Sequence, residues 1–364
     1  MSNERIQDRI VCVRCGGPLD ARAPAIACGG CRQSYARAGR IPVLLPQPEA
    51  HVELWRRQLN LLLANGQMTH AGLEDEARAP GLSPAGQMRL RGMAQAARDQ
   101  VADFAAVLGP ALGGPLDQPA RGLPRGVVEY SYYLFRDWGW TGAEARENQQ
   151  ALEALLDVAS GPLGRILVVG AGGCRLAYDL HRQRDRGAEE TAVVDIDPYL
   201  FVIAEAVVRG ETVSLTEAGL NVLEAGRASA RWQLAAPAGA LDDQAFHFFL
   251  ADGLAPPFLD GTFDTVVTPW FIDRVPPDLG PFLETVRRLL RPNGRWLNQG
   301  PLLYPPETPL ARRWSRDEIF ELAGQRGFQL GRWTTASRPY LVSPFSGAGK
   351  IERVLTFEAL RAPG

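Results

Sequence analysis

Three sets of residues in this chain have the types and the spacing to do chemistry. Cys12-x-x-Cys15 and Cys28-x-x-Cys31 form two knuckles with twelve residues between them. Each knuckle bends the backbone so that two thiolates face one ion, and Gly16, Gly17, Gly29 and Gly30 permit the tight turns. Cys12, Cys15, Cys28 and Cys31 are therefore the expected ligands of a closed tetrahedral Zn2+ site. Four sulfur ligands leave no position for water, so the ion is expected to be structural. A disulfide pair or idle thiols are the alternatives.

The second set is Gly170-Ala-Gly172, reached directly from the apolar run Ile166–Val169 and followed by a helix-like pattern. A buried parallel strand turns into a helix over a nucleotide in this way. NAD and FAD need a third glycine to seat the pyrophosphate, and that position is Arg175. S-adenosylmethionine (SAM) carries no phosphate and tolerates the change. Asp195 ends the next apolar run and is placed to accept the ribose hydroxyls, which fits NAD equally well; a solvated acid at a strand end is the alternative.

The third set lies at the ends of later apolar runs: Asp252-Gly253, Thr268-Pro-Trp-Phe-Ile-Asp273 and Asn298-Gln-Gly-Pro-Leu-Leu-Tyr304. Ligands lie at the carboxyl ends of strands in open α/β sheets. Asp252 is expected near the adenine amine with Gly253 beside it, and Asp273 where the methyl group would be transferred.

The elements that must position these residues alternate. Strands are expected at 166–170, 191–195, 246–250, 264–270 and 295–299, with helices from 173, from 198, at 278–291 and at 315–326. Two last strands near 327–334 and 352–360 have no helix between them. This pattern predicts an α/β fold: a class I methyltransferase Rossmann-like sheet with an antiparallel edge hairpin. A segment at 211–245 interrupts the rhythm and is expected to be functional or an insertion. Upstream, Leu54–Leu63 and Gln87–Leu108 read as amphipathic helices, separated by Pro/Gly breaks at Ala79-Pro-Gly and from Gly109-Pro110 to Gly114-Pro115. The dense aromatics of Tyr130–Trp138 around Arg136-Asp137 read first as helix core with a salt bridge, and a helix from about Ala143 to Ala159 follows. The expected organisation is a zinc ribbon over 1–47, a helical linker or cap region over 48–129, and a SAM-dependent methyltransferase domain over 130–364.

The 364 residues, 46% apolar with a net charge of −2, suggest two or three domains with ample core and give no electrostatic signature for nucleic acid. No run approaches the ~18 apolar residues of a membrane span and the start is not secretory, so the expected location is cytoplasmic, without a membrane. His51, His70, His181 and His247 lack metal-ligand spacing and are expected on the surface or in helices. Cys174 could gain acidity at a helix N-terminus but reads as a small packing residue.

At these residues the chain resembles one family. Gly170-Ala-Gly172-x-x-Arg175-Leu-Ala, Phe135-Arg136-Asp137-Trp138 with Glu147, Phe271-Ile-Asp273, and Asn298-x-Gly300-Pro-Leu-Leu-Tyr304 are similar to motifs of the carnosine N-methyltransferase family, over roughly 130–360. That family methylates an imidazole nitrogen of histidine dipeptides with SAM. The resemblance implies that Arg136 contacts SAM, plausibly at its carboxylate, that Asp273 contacts the substrate imidazole, and that Tyr304 joins Asp273 in the catalytic set. The family's His after Leu-Leu-Tyr is Pro305 here, and its Gln three residues before the Arg is Tyr133. Tyr340 matches one of its C-terminal tyrosines, but Lys350-Ile351 stands where aromatics would be expected. SAM binding therefore carries over, and carnosine as substrate does not. Separately, Tyr35 with Gly39-Arg-Ile-Pro-Val-Leu-Leu-Pro46 makes the N-terminus similar to small zinc-ribbon proteins that activate methyltransferases, and to the ribbon of some bacterial rRNA guanine methyltransferases.

The sequence thus points to a SAM-dependent N-methyltransferase of a small molecule or peptide, on an imidazole or other heteroaromatic nitrogen. Two alternatives stand beside it: an RNA methyltransferase gripping RNA through ribbon arginines Arg14, Arg22, Arg32, Arg37 and Arg40, and a non-catalytic SAM-binding scaffold. The oligomeric state is not encoded in any of these features.

Overall fold

Continuous runs of β-branched and aromatic residues, too short for helices, build the centre of the molecule. The computed structural model describes residues 5–114, 127–140, 146–219, 221–242, 244–275, 278–347 and 349–363. In chain order the elements are β1 (Ile26–Ala27), β2 (Ser34–Tyr35), β3 (Arg37–Ala38), β4 (Ile41–Leu44), α1 (Pro48–Glu76), α2 (Pro84–Ala111), α3 (Val127–Leu134), α4 (Arg146–Val158), β5 (Gly164–Val169), α5 (Arg175–His181), β6 (Ala188–Asp195) and α6 (Pro198–Val208). They continue with β7 (Val213–Ala218), β8 (Ser229–Leu234), β9 (Phe246–Ala251), β10 (Phe263–Pro269), α7 (Gly280–Leu289), β11 (Leu290–Gly300), α8 (Arg316–Gln325), β12 (Phe328–Tyr340) and β13 (Lys350–Arg361).

The large sheet has the order β12-β13-β11-β10-β5-β6-β9-β4-β3. Strands β11, β10, β5, β6 and β9 run parallel, and β13 lies antiparallel between β11 and β12. This is the expected class I methyltransferase sheet with its antiparallel edge hairpin. Successive residues along each strand face opposite sides. Ile166, Val168, Val193, Phe248 and Leu250 enter a core under α4, α5 and α6. Their neighbours Leu167, Val169, Val194, Phe249 and Ala251 enter a second core under α7 and α8.

The N-terminal residues belong to this sheet. Ile41-Pro-Val-Leu44, expected only as the tail of the ribbon, pairs in parallel with β9 through Val43 opposite Leu250 and Leu44 opposite Ala251. Ahead of it, Val11 N donates to Pro257 O (2.9 Å) and Leu259 N to Arg9 O (2.9 Å). Glu190 accepts from Ile6 N (3.0 Å) and meets His247 (2.8 Å), whose other ring nitrogen meets Gln7 (2.9 Å). His181 ends helix α5, as the surface-or-helix expectation allows, whereas His247 is buried in strand β9 and corrects it. Both sit in polar networks, His181 against Thr191 (2.9 Å).

Helices α1 and α2 pack along one another. The expected break at Gly109-Pro110 falls inside the last turn of α2, and Pro115 lies outside the described residues, as does the expected helix start near Ala143. The interruption at 211–245 is the antiparallel hairpin β7–β8, docked on α2. Asp103 of α2 fastens it, accepting from Thr216 N and Oγ1 (both 2.9 Å) and pairing with Arg231 (3.0 Å). No helix among the described residues is long and apolar enough to cross a membrane.

Candidate active site

At the end of β5 the chain turns sharply, with Gly170 and Gly172 at φ 70° and 52°. The Gly170 and Ala171 N–H groups donate to Val194 O, which holds the turn against β6. A Cβ on Gly170 would overlap the Phe271 ring at the tip of β10, and one on Gly173 would overlap the Asp137 carboxylate. Both positions therefore require glycine on steric grounds as well as, for Gly170, on dihedral grounds. Asp195 accepts from Gly172 N through Oδ2 (2.7 Å) and from Asp197 N through Oδ1 (2.9 Å). Burial raises its pKa.

The aromatic segment expected as helix core is buried in the core, with Phe135 and Trp138 in it, and it also covers this turn. Phe135–Gly139 is a π-type turn at the end of α3. Trp138 Nε1 donates to Gly173 O (2.7 Å), Arg175 to Asp137 O (2.7 Å), and Asn148 to Arg136 O (2.8 Å). The salt bridge is present too: Arg136 Nε meets Asp137 Oδ1 at 2.7 Å. Burial opposes the Arg136 charge, but Asp137 and its surroundings favour it, so its pKa ends above the ordinary value. The guanidinium lies 5.7 Å from the Tyr133 ring centre and 5.4 Å from that of Tyr340. Arg175, which lines the cavity, pairs through Nε with Asp179 (2.9 Å).

The opposite wall is built at the tip of β10. Trp270 has φ 47°, a strained value for a bulky residue, and its N–H donates to Gln299 O (2.7 Å). Its indole donates to Glu352 (2.9 Å) and stacks on Tyr340, centroids 5.3 Å apart and planes 19° off parallel. Glu352 also holds Lys350 (2.7 Å). Glu147 of α4 accepts from the Leu341 and Val342 N–H groups (both 3.0 Å), which anchors the end of β12. Asp273 sits in a short 3-10 turn, 4% exposed, and its Oδ1 has no hydrogen-bond partner among the described residues. Burial pushes its pKa up to about 6.

Between these walls lies a cavity of about 280 Å³. It brings together Arg136, Gly170, Gly172, Arg175 and Asp273. Asp195, Asp252 and Gly253 end β6 and β9 on the far side of β5 and are not among its lining residues. Asp252 accepts from Leu254 N (2.9 Å). Tyr304 is also outside the lining; its hydroxyl donates to Trp314 O (3.0 Å), so it braces the loop after β11. Sequence reasoning gave no individual site role to Asp137 or Glu352, and named Trp270 only within the strand-tip cluster ending at Asp273; all three line the cavity. Asp137 next to Arg136 was the one available signal.

In the N-terminal ribbon the four cysteine sulfurs lie within 4.8 Å of one another and are unbridged. Cys12 and Cys31 are 3.6 Å apart, Cys15 and Cys28 3.5 Å. Sulfurs at ~2.3 Å from a tetrahedral ion would be about 3.8 Å apart, so the set fits Zn2+.

The family model described as carnosine N-methyltransferase matches residues 239–348, a segment that contains Asp252, Asp273 and Tyr304. No curated protein matches the sequence. Among solved structures, similar folds include a SAM-dependent methyltransferase from Aquifex aeolicus, 11% identical over 63% of this chain and 92% of that one (TM-score 0.38). A SAM-dependent methyltransferase from Methanosarcina mazei is 14% identical over 58% and 97% (TM-score 0.39). A chain from the complex between the Haloferax volcanii Trm112 methyltransferase activator and a methyltransferase partner is 16% identical over 65% and 97% (TM-score 0.44). The family match, set on this fold, makes the chain a SAM-dependent methyltransferase.

Proposed function

We propose that the chain transfers the methyl group of SAM to a ring nitrogen of a small molecule or peptide that carries an imidazole or another heteroaromatic ring. One observation carries this reading: Asp273 keeps a buried carboxylate oxygen without a partner, in the wall of the cavity that also contains the glycine turn. A buried acceptor left empty is costly unless a ligand fills it. A neutral imidazole has one N–H and one lone pair. Donating the N–H to Asp273 fixes the tautomer and turns the lone pair toward the glycine turn. Asp273 then stabilises the positive charge that develops on the ring.

SAM, when bound, supplies the electrophilic methyl group. The residues fit it: Gly172 in the turn has open space beside it, Arg136 presents a buried cation, and Asp195 and Asp252 end adjacent strands beyond. Transfer to a lone pair needs no strong base, and alignment alone can contribute on the order of 7–11 kcal/mol. We further propose that the ribbon holds a structural Zn2+ on Cys12, Cys15, Cys28 and Cys31.

Three of the five ribbon arginines offered for RNA binding already make contacts within the protein, while Arg14 and Arg32 are exposed. Arg37 donates to the backbone oxygens of Ala21, Ala23 and Arg40, Arg40 pairs with Glu205 and Glu211, and Arg22 with Asp8 and Asp20. The test is label transfer from methyl-labelled SAM to a host extract split into small-molecule, peptide/protein and RNA fractions. Label is expected in the small-molecule or peptide fraction, and label confined to RNA would overturn the proposal. Asp273→Asn should lower turnover at least tenfold with SAM affinity nearly unchanged; an unchanged rate would remove Asp273 from the mechanism.

A further inference from the structure

Four acids line the cavity: Asp137, Glu147, Asp273 and Glu352. Glu147 has both oxygens on backbone N–H groups, and Glu352 has one on Trp270 and one on Lys350. Of the other two, Asp273 keeps Oδ1 buried without a hydrogen-bond partner, and Asp137 gives Oδ1 to Arg136 Nε, which leaves Oδ2 outside that ion pair. Asp273 lies past the tip of β10, and Asp137 lies over Gly173 of the glycine turn. Asp137 is 2% exposed, and its Oδ2 is the atom that fills the space a Cβ on Gly173 would occupy.

Three carbonyl oxygens of the turn already accept one hydrogen bond each, which leaves each a second lone pair. Ala171 O already accepts from Cys174 N (2.8 Å), Gly172 O from Cys174 Sγ (3.6 Å), and Gly173 O from Trp138 Nε1 (2.7 Å). Arg136 spends its Nε on Asp137 Oδ1 and meets the Tyr340 hydroxyl, and its remaining N–H groups can serve another anion. Adjacent residues thus present a cation and a spare carboxylate oxygen to the same part of the cavity.

We propose that Asp137 receives the α-ammonium group of the cofactor's amino-acid portion, with Arg136 on its carboxylate, so that this pair recognises the zwitterion. The inference rests on the SAM reading above. An ammonium offers three N–H donors and no acceptor, and a charge-assisted bond to a carboxylate suits a site this buried.

Calorimetric titration of the purified full-length protein tests this without knowledge of the substrate. The probes are S-adenosylhomocysteine, its analogue 5′-S-(3-carboxypropyl)-5′-thioadenosine, which keeps the carboxylate but lacks the amino group, and 5′-methylthioadenosine, which lacks both. The unaltered protein should bind the amino-free analogue about tenfold or more weaker than S-adenosylhomocysteine. In Asp137→Asn that ratio should collapse to within about twofold, with 5′-methylthioadenosine affinity changed by less than about threefold. A ratio that survives the substitution would overturn the proposal, and so would equal losses for all three probes, which would mean that Asp137 only supports the turn. If the variant does not fold, an unaltered protein that binds the first two probes equally overturns it alone. Failure to bind S-adenosylhomocysteine or 5′-methylthioadenosine at all would overturn the SAM reading itself.

Discussion

Asp273 is held where its surroundings work against its charge. Its pKa is raised from 3.8 to about 6 by burial, so the folded state binds a proton more tightly than the unfolded chain does. The stability this contributes is present below the ordinary carboxylate range and is lost as pH rises through about 6. At pH 8 the empty protein therefore carries a buried charge with one oxygen unpaired. Asp273→Asn should raise the melting temperature at pH 8, by the equivalent of on the order of 1–2 kcal/mol, and change it little at pH 4. Thermal melts at the two pH values check this, and a variant less stable at pH 8 would contradict it. Asp273 and the two glycines were legible in the sequence because each follows an apolar run, and the strand tip it marks is where a ligand binds. Asp137 was not legible as a site residue. What singles it out is the absence of a side chain at Gly173, thirty-six positions away, and an adjacent Arg-Asp pair reads just as well as a salt bridge, which it also is.

The strands and helices from β5 to β13 were nearly all visible, since continuous apolar runs of strand length alternate with helix-length segments. Two elements were not. Ile41–Leu44 looks like the close of the ribbon, and nothing local marks its partner at Leu250–Ala251. Strand β8 exposes alternate residues up to Leu234, and the segment between it and β7 is largely exposed, so the hairpin leaves a weak apolar pattern. Both elements depend on side-chain clasps that can be cut. Asp103, 9% exposed at its side chain, closes the hairpin onto α2; Asp103→Ala should destabilise the fold by about 2 kcal/mol in denaturant titration, and a loss under about 0.5 kcal/mol would show the clasp to be idle. The cysteines position the segment that leads into β4. Cys28→Ser should release bound metal, lower the melting temperature by several degrees, and uncover the edge of β9, with concentration-dependent association visible by light scattering. An unchanged melt with metal lost would separate the ribbon from the fold's stability.

At the level of the whole molecule, both cores draw on N-terminal residues as well as on the sheet. Ala38, Ile41 and Val43 join the core under α4 to α6, while Ile6, Ile10 and Tyr35 join the one that α7 and α8 cover. Elements that share cores unfold together. Scanning calorimetry of the intact chain should give one cooperative transition; a separate low-temperature transition would mean that the N-terminal part melts alone. The ladder between β4 and β9 also has a consequence for assembly. The two register pairs are only part of a contact that also includes the Val11–Pro257 and Leu259–Arg9 hydrogen bonds and the shared core residues. Carried on the same polypeptide, the ribbon meets the sheet edge at an effective concentration in the millimolar range or above, so weak contacts suffice. Its stoichiometry with the catalytic fold is fixed at one to one by translation, and dilution cannot separate the two.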